Sequence, residues 1–421
     1  MSAATTSGPH RSRPGAADRS GPGGVGRRDL LKLLAATPLA AQWAAAPGAA
    51  ASPSGAVSRP VSAPGIVKPL PPGLFTVRGT NAETDVAAFA GTGRLTPADR
   101  FFVRNHTSTP RLGESQWKLT VWGSGLRGGP VEFTYGQLRS LPSVTRTAFL
   151  ECAGNGRAYY DSQQGQPVTG TPWTLGAIGV ARWRGVRLAD VLRRAGIDDR
   201  AVDVMPRGLD DEFVAGGVGM GRPRRPMPVA KAMDDVILAY EMNGEPLPYD
   251  HGFPVRVVAP SWVGIASIKW LGDIEVSATP LSSPWTTRYY RLFGDAYPPE
   301  GSAPLTRQTI KSLFECAPGT AFEAGRIHRL TGRSWSAAAA VRRVEVSTDG
   351  GAHWRPAKLR DTLHRDSWVR WSADWRPRRE GPAELLARAT DAAGNTQPVT
   401  SVHNAQGYLF DAVVRHRVTV R

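Results

Sequence analysis

Between residues 117 and 122, apolar and polar positions alternate as Trp117-Lys118-Leu119-Thr120-Val121-Trp122. That is the period of a strand with one buried face. The glycine-rich stretch 123–129 then breaks the pattern. Over residues 135–141, and again over 188–195, apolar residues recur at helical spacing and predict two short helices. Phe149-Leu150 reads as the end of a buried strand running into a loop rich in glycine. From about residue 296 the texture becomes all-β. Val341-Arg342-Arg343-Val344-Glu345-Val346-Ser347 alternates, Asp349-Gly350-Gly351 makes a turn, and 354–359 returns as the partner strand. Further short strands are predicted over 368–371, 384–389 and 417–420. Short strands spaced by Pro, Gly and Asn predict an immunoglobulin-like β-sandwich following an α+β domain.

Before residue 95 the chain reads differently. Residues 1–25 are rich in Ser, Gly, Pro and Arg and cannot build a core. Arg27-Arg28 precedes an uncharged, Ala-rich stretch that ends in Ala49-Ala50-Ala51. This is the layout of a secretory signal, and the paired arginines give it twin-arginine character over residues 1–51. The apolar part is broken by Pro38 and Pro47 and is short for a membrane span. The expected address is periplasmic or otherwise extracytoplasmic, with no membrane span in the mature chain. Residues 52–94 open with six prolines before residue 73 and predict an extended linker and N-terminal arm.

The 421-residue chain leaves room for two large domains, expected over 95–295 and 296–421. Its net charge is +16, of which +4 falls in the first 32 residues; the rest is dispersed. Dispersed positive charge favours small anions over a nucleic-acid partner. With only Cys152 and Cys316, a disulfide framework, a four-cysteine zinc site and a Cys-ligated iron–sulfur cluster are excluded. Cys316 reads as core. The acidic runs Asp210-Asp211-Glu212 and Asp234-Asp235 read mostly as solvated surface.

Glu151-Cys152-Ala153-Gly154-Asn155-Gly156-Arg157 is the segment that carries chemistry. A cysteine at a strand-to-loop junction with an arginine five residues on can present a thiolate beside positive charge, and a soft thiolate suits a transition metal. Taken alone, Cys152 is more often a small buried core residue.

Its context decides otherwise. Glu151-Cys152-Ala153-Gly154-Asn155 resembles the molybdenum-ligand segment of the sulfite oxidase family. So do Arg104-Asn105-His106, Trp173-Thr174-Leu175-Gly176-Ala177-Ile178-Gly179 and Trp183-Arg184-Gly185-Val186-Arg187-Leu188. Ala239-Tyr240-Glu241-Met242-Asn243-Gly244, Asp250-His251-Gly252-Phe253-Pro254-Val255-Arg256 and Ile268-Lys269-Trp270-Leu271-Gly272 follow in the family's order. The resemblance covers about residues 95–421. It implies a molybdenum–molybdopterin cofactor with Cys152 as the protein's metal ligand. It implies that Phe102, Val103, Asn105, His106, Asp210, His251, Arg256 and Ser267-Ile268-Lys269 hold the pterin and its phosphate. It also implies that Arg104, Arg157 and Tyr290 surround the reacting sulfur anion; register from Trp285 points to Tyr290, with Tyr289 the alternative.

The implied activity is oxidation of sulfite or a related sulfur oxyanion, with electrons passed to an external acceptor such as a cytochrome c. A homodimer through the β domain is also implied. The pattern departs from animal members at Gln406, where they carry a substrate-binding arginine, and in having no N-terminal cytochrome b5 domain. The missing arginine makes a larger or less charged sulfur substrate more plausible. A sulfane dehydrogenase subunit is the nearest alternative. Methionine-sulfoxide reductases of the superfamily typically lack the β-sandwich tail. A non-catalytic secreted binding protein is the reading from another class.

Overall fold

The computed structural model describes residues 63–421. The signal-like region and the first prolines of the linker lie outside the described residues. The α+β part is built on two five-stranded sheets. One runs in the order Met227–Pro228, Asp203–Gly208, Leu271–Ser277, Lys118–Trp122, Val131–Thr134, with Leu271–Ser277 and Lys118–Trp122 parallel. In Lys118–Trp122, Leu119 and Val121 are buried and Lys118 is exposed, as the alternation requires. The other sheet runs Glu245–Pro246, Ile237–Met242, Ile178–Arg187, Ser143–Glu151, with Arg256–Val258 also on Ile237–Met242. The long strand Ser143–Glu151 pairs over its whole length with Ile178–Arg187. It delivers the 152–157 loop at its end.

Both predicted helices form, as Tyr135–Arg139 and Leu188–Arg194. A capping box starts the first: Thr134 accepts from the Gln137 N–H, and Gln137 reaches back to the Thr134 N–H. The second buries Leu188, Ala189, Val191 and Leu192, and its exposed arginines fall in the last turn.

The C-terminal part is two sheets facing each other. Lys311–Phe314, His328–Trp335, Val369–Trp375 and Lys358–Leu359 form one; Ala321–Phe322, His416–Val420, Gly381–Asp391, Val341–Ser347 and Arg355–Pro356 form the other. Leu330, Trp371 and Trp375 of the first pack with Val344, Leu385 and Val418 of the second. The expected return strand over 354–359 divides. Arg355–Pro356 pairs with Val341–Ser347 as predicted, but Lys358–Leu359 pairs with Val369–Trp375 in the opposite sheet. The segment crosses from one sheet to the other, and its alternation alone could not reveal the change of partner.

The structure refines three other expectations. Residues 63–94 are not a free linker. Phe75–Arg78 and Asn81–Thr84 form a hairpin, Ala82 bridges Val103, and Ala63, Leu70, Phe75 and Ala82 share a small core. The acidic runs are mostly solvated as expected, with Asp211, Glu212 and Asp234 exposed; Asp210 and Asp235 are buried, and Asp235 is paired with Lys231 at 2.5 Å. Cys316 is half-buried in a bend after Lys311–Phe314, with its Sγ 3.3 Å from His416 Nε2. Burial pushes its thiol up to about 11, so it stays protonated.

The α+β part and the sandwich share a core. Phe149, Leu175, Ile178 and Val180 pack with Leu313, Trp335 and Trp368. Inside this contact the fully buried Glu151 carboxylate accepts from Asn155 Nδ2 at 2.9 Å and Trp335 Nε1 at 3.0 Å. It is ion-paired with the equally buried Lys311 at 2.9 Å. Removing one partner strands a charge with no water near it. Lys311→Ala is therefore expected to cost about 3–5 kcal/mol, read as a lower thermal midpoint, and Lys311→Met combined with Glu151→Gln to cost less.

Candidate active site

Two cavities meet at Cys152. The inner one, about 720 Å³ with its open mouth, is lined by Phe102, Asn105, Asp210, His251, Arg256, Ser267, Ile268 and Lys269 among others. The outer one is lined by Arg157, Thr169, Thr171, Phe213, Tyr289, Gln406 and Tyr408 among others. Cys152, Arg104, His106 and Tyr290 line both. Residues as far apart as Arg104 and Tyr408 are thus brought to one place, and nearly every residue expected at the site lines one of the two cavities. Val103 is the exception. Its side chain is fully buried in the hairpin core with Ala82 and does not line the cavity. Alternation along 102–104 explains this, since its neighbours Phe102 and Arg104 do line the cavity.

The loop that presents Cys152 is held from several sides. Cys152 N–H donates to Ala177 O, and Asn155 N–H to Cys152 O, both at 2.9 Å. Asn155 Oδ1 accepts from Ala177 N–H, while its Nδ2 is on Glu151. Gly156 takes the left-handed backbone expected of this loop, with φ 93°.

The inner cavity is positively charged in a dry setting. Arg256 donates to the carbonyls of His251 and Ser267, with no carboxylate among its hydrogen-bond partners, and burial pushes its pKa down to about 9. Lys269 Nζ donates to Asp250 O and to Asn105 Oδ1; burial, then Arg256, hold it well below the usual lysine range. Asp250 is committed elsewhere, accepting from the backbone of Val67 and Lys68 and from Thr109. Burial pushes the Asp210 carboxyl up to about 6, against the pull of Lys269 and Arg104. Three buried atoms in this wall, Arg104 Nη1, Asp210 Oδ1 and His251 Nε2, have no hydrogen-bond partner among the described residues. Unpaired buried groups of this kind fit a ligand that brings negative charge together with donors and acceptors of its own. A phosphorylated heterocycle has that chemistry.

Burial and then Arg104 and Lys269 hold His106 well below its usual pKa, so its ring is neutral. Its Nε2 accepts from Trp285 Nε1 at 2.9 Å, which leaves the proton on Nδ1. His251 is likewise held neutral, by burial and then by Lys68, Lys269 and Arg256.

On the outer side, Tyr290 rather than Tyr289 lines both cavities, with a left-handed backbone at φ 56°. Tyr290 stacks on Tyr408 at 5.0 Å, and Arg157 lies 5.1 Å over the Tyr408 ring. Burial raises the Tyr290 pKa beyond what Arg104, Arg157 and Arg225 offset, so it keeps its proton. Burial alone would lower Arg104, but Tyr290, Cys152 and Tyr408 raise it, so it keeps its charge. Arg157 donates to Gln406 O at 2.8 Å and Thr171 O at 3.0 Å. A Cβ at Gly170 would fall 2.8 Å from Arg157 Nη1, and one at Gly407 2.7 Å from its Cγ; only glycine leaves the guanidinium this slot.

Sequence reasoning missed Tyr408, Trp285, Lys68 and Arg225. Arg225 is buried and donates to the carbonyls of Trp285 and Leu305, and Leu305 N–H donates to Tyr290 O. It thereby clamps the segment that carries Tyr290. No local signal separates it from the other arginines of Arg222-Pro223-Arg224-Arg225.

The comparisons agree with this geometry. A family model described as an oxidoreductase molybdopterin binding domain matches residues 106–285, and one described as a Mo-co oxidoreductase dimerisation domain matches 319–421. Mitochondrial sulfite oxidase of Homo sapiens is 37% identical over 347 residues, covering 77% of this chain and 61% of that one. Sulfite oxidase of Gallus gallus is 36% identical over 338 residues, covering 76% and 72%. Sulfite oxidase of Arabidopsis thaliana is 32% identical over 373 residues, covering 81% and 91%. The match spans only about three-fifths of the length of the mammalian relatives. Among solved structures, the sulfane dehydrogenase SoxCD from Paracoccus pantotrophus is similar at a TM-score of 0.69 and 27% identity, covering 80% of this chain and 83% of that one.

Long-range proton–nitrogen correlation spectra are expected to show His106 neutral, with its proton on Nδ1, across the range where free histidine titrates. Trp285→Phe should release that tautomer. A charged His106 ring near neutral pH would contradict the arrangement.

Proposed function

Because the chain belongs to the sulfite oxidase family of molybdopterin oxidoreductases, we propose that it oxidises sulfite or a related sulfur oxyanion to sulfate. One water supplies the added oxygen; two protons and two electrons leave, the electrons to an external acceptor such as a cytochrome c. The observation that carries this reading is Cys152 standing where the two cavities meet, with Arg104 and Tyr290 beside it. Arg256, Lys269, His251, Asp210, Asn105, His106, Phe102 and the Ser267–Ile268 segment would hold a molybdenum–molybdopterin group in the inner cavity, and Cys152 would be the protein's thiolate ligand to the metal. Bound there, that group supplies two-electron redox chemistry.

The protein's own contribution is charge and orientation. Arg104 and Arg157 neutralise an anion in the outer cavity and give it guanidinium donors. Tyr290 offers a phenol proton from a wall it shares with Cys152. The stacked rings of Tyr290 and Tyr408 are buried in that wall, and a low local dielectric strengthens each of these interactions.

We extend the reading to the assembly. The pterin-binding domain is 95–295 with its N-terminal arm at 52–94. The sandwich at 296–421 is of immunoglobulin type and forms a homodimer. Residues 1–51 direct export by the twin-arginine route to an extracytoplasmic space. No helix among the described residues is long and apolar enough to cross a membrane. Similarity to a sulfane dehydrogenase supports a second reading, in which the sulfur is bound to a partner carrier. Turnover of free sulfite against a carrier-bound sulfane separates the two.

Cys152→Ser is expected to lower sulfite-dependent dye reduction by more than about 100-fold, with the circular dichroism spectrum and thermal midpoint unchanged. Normal turnover in that variant would refute the assigned ligand. Arg157→Ala should raise KM for the anion while pterin content stays near wild type. Loss of pterin with unchanged kinetics in the remaining holoenzyme would instead place Arg157 with the cofactor.

A further inference from the structure

We propose that the outer cavity selects sulfur oxyanions that still carry an O–H, and that Gln406 makes the selection. The proposal deepens the sulfur-oxyanion reading and rests on it. Gln406 has no freedom to flip its amide. Its Nε2 donates to Arg288 O at 3.0 Å, and only the nitrogen end can satisfy a carbonyl. Its main-chain oxygen is also fixed, accepting from Arg157 Nε at 2.8 Å. The side-chain Oε1 is left buried with no hydrogen-bond partner among the described residues, and Gln406 lines the cavity that Arg157, Cys152 and Tyr290 also line.

A carbonyl oxygen can only accept, and leaving it buried and unmatched is costly. The same space holds donors seeking acceptors. Arg104 Nη1 is buried without a partner, and Arg157 has spent Nε and Nη1 on carbonyls while Nη2 makes no hydrogen bond among the described residues. A ligand lying between these groups must accept from guanidinium and donate to the amide. A fully deprotonated oxyanion presents lone pairs on every oxygen, and one of them would meet the lone pairs of Oε1. A singly protonated oxyanion, such as hydrogen sulfite, presents acceptors to Arg104 and Arg157 and one O–H to Gln406. An arginine at this position would remove the acceptor and favour the dianion.

Sulfate and inorganic phosphate provide the test. At a pH where both are dianions they have the same charge and nearly the same shape, and differ by one O–H. In calorimetric titration of the holoenzyme, phosphate is expected to bind about tenfold more tightly than sulfate. Gln406→Leu should erase that preference, and Gln406→Arg should reverse it. Equal affinities in the wild type, a preference that survives in Gln406→Leu, or no binding of either anion would overturn the proposal. Selective binding by a holoenzyme that does not turn over sulfite would leave the selectivity standing and remove the proposed activity. Sulfite turnover without the preference would remove only the role of Gln406.

Discussion

A carboxylate with no access to water ties the chemistry of this protein to its scaffold. Glu151 ends the strand that delivers Cys152, and its oxygens are taken by Lys311, Asn155 and Trp335. Two of those partners belong to the sandwich and one to the cysteine loop itself. A buried ion pair is weak evidence for stability in general, because desolvation offsets most of the attraction. Its value here is geometric. Direction and distance are fixed at both ends, so the cysteine cannot shift without stranding a charge. The C-terminal sandwich is therefore part of the framework that positions the reactive sulfur.

The inner cavity is organised by the opposite principle. Arg256 and Lys269 are buried with carbonyls for partners, and Asp250 spends its carboxylate on the arm at Val67 and Lys68. Burial shifts these cations toward their neutral forms, which measures how poorly the protein alone solvates them. An anionic group entering this space supplies the missing counter-charge, so binding and relief of internal repulsion are one event.

The outer cavity is built late in the chain. Its wall of Gln406, Gly407 and Tyr408 comes from the last twenty residues, yet it touches Arg157 through a backbone carbonyl, a close glycine contact and an aromatic face. Leu409 N–H donates to Ala153 O and closes the contact beside Cys152. In the proposed reading, residues about 250 positions apart would jointly read the charge and shape of the substrate. A substitution in the C-terminal segment can retune specificity without touching the pterin.

The linear pattern was enough to predict the strand of residues 117–122, both short helices, the β-rich C-terminal half and the cysteine loop, because period and turn chemistry are local. The ordered motifs were enough to name most of the side chains that line the two cavities, Val103 apart. Other features lay beyond any local signal. Val103 faces a hairpin core because Ala82 bridges it, and residues 63–94 are structured because Asp250 and Val103 give them something to bind. Residues 354–359 divide between sheets because each half finds a different neighbour. Arg225, Tyr408 and the Glu151–Lys311 pair gain their roles only from partners distant in sequence. The chain by itself determined which residue types are available to the chemistry; long-range packing decided which of them face one another, because burial and hydrogen-bond pairing are properties of the assembled surroundings.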